Sequence, residues 1–363
     1  MQRNINQLYY VLSTGFILIA LSLIYWQIIK AQTLLTRNDN PRLIIAEQQI
    51  RRGTIFSREG KVLVKTIIND NDFSQRHYLY PSLAHVTGYY SVRYDSSGLE
   101  SVFSEILVGH GKQTYIESLL HRPQFGEHIT TTIQLSAQLV ADEVLAKANT
   151  NGAIIVLDTD TGNILVMSSR PTFNPNIVDT KWDSLIHDTN APLLNRATQG
   201  IFPLGKMAKL VGLISLLENN NPLPTDPLDI QLSLDKMDWI TVVQQLHFDR
   251  ELTFTLPTEK GRIPTNLPDK AQEISTTPLH VALMAGAWRQ HGIIPIPTLI
   301  QTNDIISSSK MRLMNTATAD FMNSTITDVS IFVPPEITGN ESISWYIGLP
   351  KNHPSIVLQA ISF

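Results

Sequence analysis

Cysteine is absent from the 363 residues, which excludes disulfide bonds, thiolate zinc sites and cysteine nucleophiles. Charged residues make up only 17% and the formal net charge is −4, so the chain lacks the basic excess typical of nucleic-acid-binding proteins. Its ten histidines show no zinc-ligand spacing, and we predict neither a metal site nor a cofactor. Hydrophobic residues nevertheless reach 43%, enough for a sizeable core.

One long apolar run stands near the N-terminus. Residues 8–29 read LYYVLSTGFILIALSLIYWQII, long enough for a helix to cross a bilayer core of roughly 30 Å. A cleaved signal peptide is the alternative, but its apolar region is shorter, about 7–15 residues, and IIKAQTLL offers no small-residue cleavage site. We therefore predict an uncleaved anchor. Arg3 precedes the run, and Lys30, Arg37 and Arg42 follow it. The positive-inside rule alone therefore does not place the large C-terminal part of the chain outside the cytoplasm.

The rest of the chain mixes strand and helix patterns. Residues 31–50 contain a breaker cluster and suggest a stalk, and residues 51–64 predict strand, turn and strand. A helix is predicted over 136–148, with Leu139, Val140, Val144 and Leu145 on one face. Further predicted elements are a hairpin over 153–168, helices at 206–218 and 276–290, and strands at 343–349 and 355–361. This order indicates an α+β domain with an antiparallel sheet flanked by helices.

Seven segments follow one another along the chain: RRGTIFSREGKVLV, YPSLAHVTGYYSVRYDSSGLE, GAIIVLDTDTGNILVMSSRPTFNPN, PLLNRATQGIFPLGKMAKL, HFDRELTFTLP, ISTTPLHVALMAGAWRQHGIIPIPTLI and ITGNESISWYIGL. In this order they resemble the class B penicillin-binding proteins, in particular the penicillin-binding protein A type. The resemblance implies three parts. Residues 1–30 form a cytoplasmic tip and transmembrane anchor, and 31–135 a stalk and a small β-rich pedestal of the dimerisation type. Residues 136–363 form a shortened serine β-lactamase-like transpeptidase domain, which in the family continues into a closing helix.

The same resemblance implies where the chain works and with what. It indicates a single-pass protein of the bacterial cell membrane whose C-terminal domain is extracytoplasmic. Members of the family cross-link peptidoglycan stem peptides and are acylated by penicillin. Their usual partner is a polytopic peptidoglycan glycosyltransferase, so we expect that enzyme, other division proteins or peptidoglycan itself as partners.

The first catalytic motif of the family is altered here. A Ser-x-x-Lys tetrad after a Pro-x-Gly turn places the nucleophile one helical turn from its base. The resembling stretch is Pro203-Leu204-Gly205 followed by Lys206-Met207-Ala208-Lys209. Lys209 keeps the base position, whereas Lys206 stands at the nucleophile position. A lysine is an ammonium group near neutral pH and cannot replace a hydroxyl. Two other interpretations of these lysines are solvated cations on a helix face and an anion-binding site at the start of a helix.

The second and third motifs are altered as well. The Ser-x-Asn loop, which helps relay protons to the leaving amine, has no match in the short proline-rich interval 221–227; Ser233-Leu234-Asp235 is a possible remnant but lies too late. At the Lys-Thr-Gly position stand Ile337, Thr338 and Gly339, so the cation that holds the substrate carboxylate is missing. Ser307-x-x-Lys310 matches the first motif literally, but we interpret it as chance.

Three functional hypotheses follow. The first is a non-catalytic homologue that acts as a membrane-anchored scaffold in peptidoglycan synthesis or cell division. The second is a working D,D-transpeptidase that uses atypical residues, and the third is a non-enzymatic peptidoglycan-binding module.

Other residues are assigned structural roles. We predict turn chemistry rather than metal binding for Asp158 and Asp160, and packing roles for His85 and for Trp182, Trp239, Trp288 and Trp345.

Overall fold

The structure is a computed structural model, which describes residues 2–30, 50–69, 73–109, 125–148, 150–223, 230, 234–301, 309–326, 331–338, 341–350 and 355–362. Nearly all of the predicted stalk lies outside these residues. The chain divides into two compact units. One comprises Met1–Ile50 with Ile68–Gln75, and the other Arg51–Ile67 with Arg76–Phe363.

The apolar run near the N-terminus is helical, as predicted. Helix α1 spans Gln2–Ile24 and continues as a π-helical turn over Tyr25–Ile29. Its stretch Tyr9–Gln27 has 19 residues, which at 1.5 Å per residue is about 28 Å, close to the thickness of a bilayer core. Tyrosines lie near one end, and Tyr25 packs edge-to-face on Trp26 at the other, as expected for an interfacial belt. The helix is consistent with a single-pass anchor.

The pedestal is built on a small sheet with the order β3-β2-β1-β6. Its elements are β1 (Ile55–Phe56), β2 (Val62–Ile68), β3 (Ser74–Tyr78), α2 (Ala84–Thr87), β4 (Tyr90–Ser91), β5 (Asp95–Ser96), α3 (Gly98–Val102), α4 (Ser104–Val108) and β6 (Ile129–Thr130). The predicted turn between β1 and β2 is confirmed, because Gly60 adopts φ +74° and donates to the Ser57 carbonyl at 3.0 Å. A residue without Cβ is favoured at such an angle.

A buried ion cluster fastens the pedestal. Glu100 is fully buried and its carboxylate accepts from Arg52 Nε at 3.1 Å and from Arg76 Nη2 at 2.5 Å. Arg76 also donates to the Gly53 carbonyl at 2.8 Å, and the Arg52 guanidinium lies 4.3 Å from the centre of the Tyr90 ring. Both guanidinium groups are therefore compensated by a single carboxylate, by backbone carbonyls and by an aromatic face.

The C-terminal domain is organised around a five-stranded antiparallel sheet with the order β13-β14-β15-β7-β8. These strands are β7 (Asn151–Asp158), β8 (Ile164–Arg170), β13 (Ile331–Thr338), β14 (Glu341–Gly348) and β15 (Ser355–Ser362). Strand β7 lies inside the sheet, with Val156 opposite both Val357 and Val166. The nearly continuous apolar sequence of β7 is the pattern expected of a strand that is covered on both faces.

Helices cover this sheet. The remaining elements are α5 (Leu135–Ala148), α6 (Val178–Ile186), β9 (Phe202–Pro203), α7 (Ala208–Glu218), α8 (Lys236–Gln245), β10 (Ser275–Thr276), α9 (Pro278–Arg289), β11 (Ile293–Pro295), β12 (Lys310–Arg312) and α10 (Thr316–Ile326). Helix α9 is buried from Pro278 to Trp288 and packs on β7 and β15. Its predicted start is confirmed, since the Thr277 hydroxyl caps the His280 amide. An all-round apolar helix is what the centre of a domain requires.

The prediction of the apolar face of α5, the first helix of the C-terminal domain, is wrong. In α5 only Leu145 of the four apolar residues is buried, whereas Leu139, Val140 and Val144 are exposed. Gln138 and Asp142 face inward instead. Gln138 accepts from the Met167 amide at 2.8 Å and donates to the Met167 carbonyl at 3.0 Å, and Asp142 accepts from Ser168 Oγ at 2.5 Å. The inward face therefore combines these polar side chains with Leu135, Ala141 and Leu145, and Gln138 bonds to the backbone of the edge strand β8.

Two buried histidines make stability pH-dependent. Burial lowers the pKa of His85 to about 4, and it does the same for His280. An unfolded histidine titrates near pH 6.5, so between pH 6.5 and 4 the unfolded chain binds more protons than the folded chain. With respect to these two histidines, the free energy of unfolding is therefore highest above pH 6.5 and falls as the pH is lowered. At pH 4 the loss is about 3 kcal/mol for each histidine.

Urea unfolding of the full chain in micelles at pH 7 and pH 5 measures this effect. We expect His85→Asn to lose less stability on acidification than the unmodified chain, because its side chain does not titrate. The exposed His187 provides the matched control, and His187→Asn should leave the pH dependence unchanged. Equal acid sensitivity of all three proteins would refute the assignment.

Candidate functional site

A short turn carries the first motif. Strand β9 pairs with β10, Pro203 lying opposite Ser275, and the Leu204 amide donates to the Ile274 carbonyl at 2.8 Å. Gly205 adopts φ +54° and opens a 3-10 turn over Gly205–Met207, from which α7 continues. The predicted helix at 206–218 therefore begins as a 3-10 turn. The positive φ explains why glycine is retained at 205.

Trp345 fixes this turn to the central sheet. Its side chain is 1% exposed, its Nε1 donates to the Pro203 carbonyl at 3.0 Å, and its ring packs edge-to-face on Phe202. Because Trp345 lies on β14, the turn is held against the strand next to β13. The predicted packing role is confirmed for Trp345 as well as for Trp239 and Trp288, which are fully buried.

The positions of the first and third motifs meet in the fold. Lys206 is exposed and Lys209 is half-buried one helical turn later. Strand β13 lies against the 3-10 turn that holds Lys206. Ile337 and Thr338 pair with Ser342 and Glu341 of β14, and Gly339 lies outside the described residues. The fold thus brings together two segments that are separated by about 130 residues in the sequence, with lysine on the turn and Ile337-Thr338 ending the strand.

The possible remnant of the second motif has a structural role. Ser233 lies outside the described residues, and Leu234 is buried. The Asp235 carboxylate caps α8 by accepting from the Asp238 amide at 2.8 Å, and Asp238 Oδ2 accepts from the Asp235 amide at 3.3 Å. This reciprocal capping box engages the carboxylate with its own helix, so it has no geometry for a proton relay.

Other polar side chains around the turn bond to the backbone. Ser275, opposite Pro203, donates its hydroxyl to the Glu273 carbonyl at 2.8 Å. In the hairpin, the Asp158 carboxylate accepts from the amides of Asp160 and Thr161 at 3.0 and 3.3 Å, which is the predicted turn chemistry. Within the described part of the chain no group of three potential metal ligands is present. Ser307 lies outside that part. Lys310 is the first residue of β12 and is exposed.

Contacts between the pedestal and the C-terminal domain were not predicted from the sequence. The Asn176 side chain accepts from the Tyr78 amide at 2.9 Å and donates to the Tyr78 carbonyl at 3.0 Å. Ser91 donates to the Asp179 carboxylate, and Tyr94 stacks on Trp182 with ring centres 4.6 Å apart. His85 packs on Phe173 and its Nε2 lies 3.1 Å from the Pro171 carbonyl. These bonds join residues about 90 positions apart, and no local sequence pattern indicates such partners.

Comparisons with known proteins agree with this architecture. Residues 52–124 match the family model described as "Penicillin binding protein A dimerisation domain", and residues 152–230 match "Penicillin binding protein transpeptidase domain". The two matches fall on the pedestal and on the part of the C-terminal domain that carries the hairpin and the first-motif turn.

Curated relatives match part of this chain. The chain is 29% identical over 210 residues to the peptidoglycan D,D-transpeptidase PbpA of Mycolicibacterium smegmatis, covering 53% of this chain and 42% of the relative. It is 29% identical over 185 residues to the peptidoglycan D,D-transpeptidase MrdA of Escherichia coli K12, covering 40% and 29%. The chain thus spans about half the length, or less, of the curated relatives that it matches.

Solved structures share the fold. The crystal structure of PBPA from Mycobacterium tuberculosis superposes with a TM-score of 0.73 at 19% identity, covering 86% of this chain and 93% of that one. Its imipenem acyl-enzyme complex gives a TM-score of 0.74 with 87% and 93% covered. The chain therefore contains one segment that matches the penicillin-binding protein A dimerisation domain and one that matches the penicillin-binding protein transpeptidase domain. Its fold is similar to that of penicillin-binding protein A.

Proposed function

We propose that this chain is a non-catalytic penicillin-binding protein that serves as a membrane-anchored scaffold in peptidoglycan synthesis or cell division. The observation that carries the proposal is Lys206 at the opening of the first-motif turn, where the family places its serine. The curated relatives are named D,D-transpeptidases. The proposal therefore concerns a loss of their chemistry within a retained fold.

The chemistry of the turn supports this proposal. Acyl transfer needs a hydroxyl or thiol whose ester with the substrate is readily hydrolysed or aminolysed. If an amine at position 206 attacked a stem peptide, the product would be an amide, which water does not readily cleave. Lys209 would then have no hydroxyl proton to remove. Ile337 also offers no charge-assisted hydrogen bond for a substrate carboxylate.

The retained parts of the molecule suggest what the chain does instead. The anchor helix and the sheet of the pedestal are preserved, and the pedestal is fastened by the buried Glu100 cluster and by direct bonds to the C-terminal domain. Such a body can hold a partner at the membrane without turnover. We propose a polytopic peptidoglycan glycosyltransferase as that partner, with the C-terminal domain on the outer side of the membrane.

Cross-linking tests the proposal. Purified full chain in micelles is incubated with a thioester analogue of the stem peptide and an acceptor D-amino acid, with a penicillin-binding protein A enzyme as positive control. We expect no thioester consumption above the buffer rate. Consumption by the unmodified chain that is blocked by penicillin would support the alternative of a transpeptidase with atypical residues.

Lys206→Ser is a second test of the same site. We expect this variant also to be inactive, because the serine alone supplies neither the lysine of the third motif nor the loop of the second. The combined variant Lys206→Ser with Ile337→Lys should remain poor, since no Ser-x-Asn side chains have been added. Robust cross-linking by Lys206→Ser alone would contradict our account of the other two motifs.

A further inference from the structure

The junction between the pedestal and the C-terminal domain is bonded at three separate places. Residues 51–67 of the pedestal, and its residues from 76 onward, fall in the same compact unit as the C-terminal domain. Two domains of one chain usually move relative to each other unless their interface is extensive. The placement of these attachments therefore decides whether the junction can act as a hinge.

The first attachment lies at the edge of the pedestal sheet. Strand β3 is an outer strand of that sheet and ends at Tyr78, and an edge strand leaves one row of backbone groups unpaired. Asn176 lies on a 3-10 turn over Pro175–Ile177, and its side chain bonds both the amide and the carbonyl of Tyr78. Its Nδ2 also donates to Asn174 Oδ1 at 3.1 Å, which fixes the carboxamide. The C-terminal domain thus bonds to β3 as a residue of an adjacent strand would.

The second attachment joins the turn between β4 and β5 to α6. The Ser91 hydroxyl donates to the Asp179 carboxylate and accepts from the Tyr94 amide at 2.9 Å. Almost one helical turn after Asp179, the Trp182 ring stacks on Tyr94 with 13° between the ring planes, and Tyr89 packs edge-to-face on Trp182 at 5.9 Å. A hydrogen bond and a stacked aromatic pair therefore hold the same turn against the same helix.

The third attachment caps α5 from the pedestal. The first amides of a helix have no partner within the helix, and α5 begins at Leu135. The Glu59 carboxylate, on the turn between β1 and β2, accepts from the Leu135 amide at 3.3 Å and from the Ser57 hydroxyl at 2.7 Å. Its negative charge also suits the dipole at a helix start. Beside it, the Arg58 amide donates to the Ile133 carbonyl at 3.0 Å. The pedestal thus stabilises the start of the helix that bonds to β8.

The segment that connects the two domains is bonded as well. After β6, the Thr132 amide donates to the Leu299 carbonyl at 2.8 Å, and the Gln301 amide donates to the Thr130 carbonyl at 2.9 Å. The buried Thr132 hydroxyl donates to the Ile164 carbonyl at 2.6 Å. A hinge absorbs domain motion in a few residues whose backbone angles can change. These bonds oppose such changes in the connecting segment.

We propose that the pedestal and the C-terminal domain form one rigid body, which moves and unfolds as a unit without a hinge at the junction. The three attachments lie on three different elements of the pedestal, so a rotation about one of them strains the other two. A partner bound to the pedestal would then hold a fixed position relative to the first-motif turn. That consequence rests on the proposed scaffold function, whereas the rigidity of the junction does not.

Hydrogen exchange at increasing urea concentrations, followed by mass spectrometry, tests the rigid body on the full chain in micelles. Peptides within residues 55–67 report on the pedestal, and peptides of α9 report on the C-terminal domain. We expect both sets to show the same urea midpoint, because one cooperative unit opens all at once. No substrate is used, so a failure of this prediction is distinguishable from a failure of the proposed loss of catalysis.

A triple variant should uncouple the two domains. Asn176→Ala, Asp179→Ala and Trp182→Ala together remove the first two attachments. Each lost hydrogen bond corresponds to a factor of about five in the opening equilibrium, so the pedestal peptides should exchange at least about tenfold faster. The peptides of α9 should keep their protection, and the two urea midpoints should separate.

Asn176→Asp tests the first attachment alone. Aspartate keeps the shape of the side chain and an acceptor for the Tyr78 amide, but it has no donor for the Tyr78 carbonyl. Exchange of the pedestal peptides should therefore accelerate about fivefold. Lys181→Ala combined with Asp183→Ala, at exposed positions of α6, is the matched control and should exchange like the unmodified chain.

Two results would overturn the proposal. One is a pedestal and an α9 that open at different urea midpoints in the unmodified chain. The other is a triple variant whose pedestal exchange and urea midpoints do not change. Thermal melts show whether each variant is folded, and a misfolded triple variant leaves Asn176→Asp as the deciding comparison.

Discussion

Replacing Glu100 by alanine is expected to destabilise the pedestal by about 3–5 kcal/mol, the usual cost of removing one partner from a buried ion pair. The reason is the number of charges that this carboxylate compensates. It accepts hydrogen bonds from both Arg52 and Arg76, and all three side chains are almost wholly buried. Without it, two guanidinium groups would lie close together in the interior with no negative charge.

Urea unfolding followed by circular dichroism measures this loss. Glu100→Gln should lose nearly as much stability, since an amide preserves the shape but not the charge. Glu105 lies five residues later and is exposed, so Glu105→Ala should change the free energy of unfolding by less than about 0.5 kcal/mol. A loss below about 1 kcal/mol for Glu100→Ala would mean that the pair behaves like a surface ion pair.

The second large effect is expected at Trp345. Trp345→Ala should cost about 3–5 kcal/mol, because it empties a large buried volume and leaves the Pro203 carbonyl without its 3.0 Å hydrogen bond. The damage should concentrate at the first-motif turn, which this indole fastens to β14. Hydrogen exchange of the amides of residues 202–209 should therefore accelerate in the variant.

Trp345→Phe separates the two contributions. It keeps an aromatic ring against Phe202 but removes the donor, so a smaller loss of about 1–3 kcal/mol is expected. Phe321 on α10 is 36% exposed, and Phe321→Ala should be far milder. If Trp345→Phe were as damaging as Trp345→Ala, the hydrogen bond rather than the ring volume would be the main attachment.

Local patterns predicted much of the fold. The apolar strands and turn residues of the 153–168 hairpin, and the Thr277-Pro278 start of α9, depend on neighbouring residues only, and the structure confirms both. The helix over 136–148 was predicted in the correct place but with the wrong buried face. Its inward face includes Gln138, whose partner Met167 lies 29 residues away on an edge strand and is indicated by no local pattern.

The candidate site was likewise predicted only in part. The first-motif turn was predicted from the family resemblance, which implies a Pro-x-Gly turn at Pro203-Leu204-Gly205. Its attachment through Trp345 could not be predicted, because that bond joins residues 142 positions apart.

The central claim is that no hydroxyl stands ready to attack at the first-motif turn. Covalent penicillin binding tests it most directly: full chain in micelles is incubated with excess penicillin G and its intact mass is measured, with a penicillin-binding protein A enzyme alongside. We expect the mass of the chain to stay unchanged while that of the control rises by one acyl group. Stoichiometric acylation of the chain, mapped by peptide mass spectrometry to a serine such as Ser275, would contradict the claim.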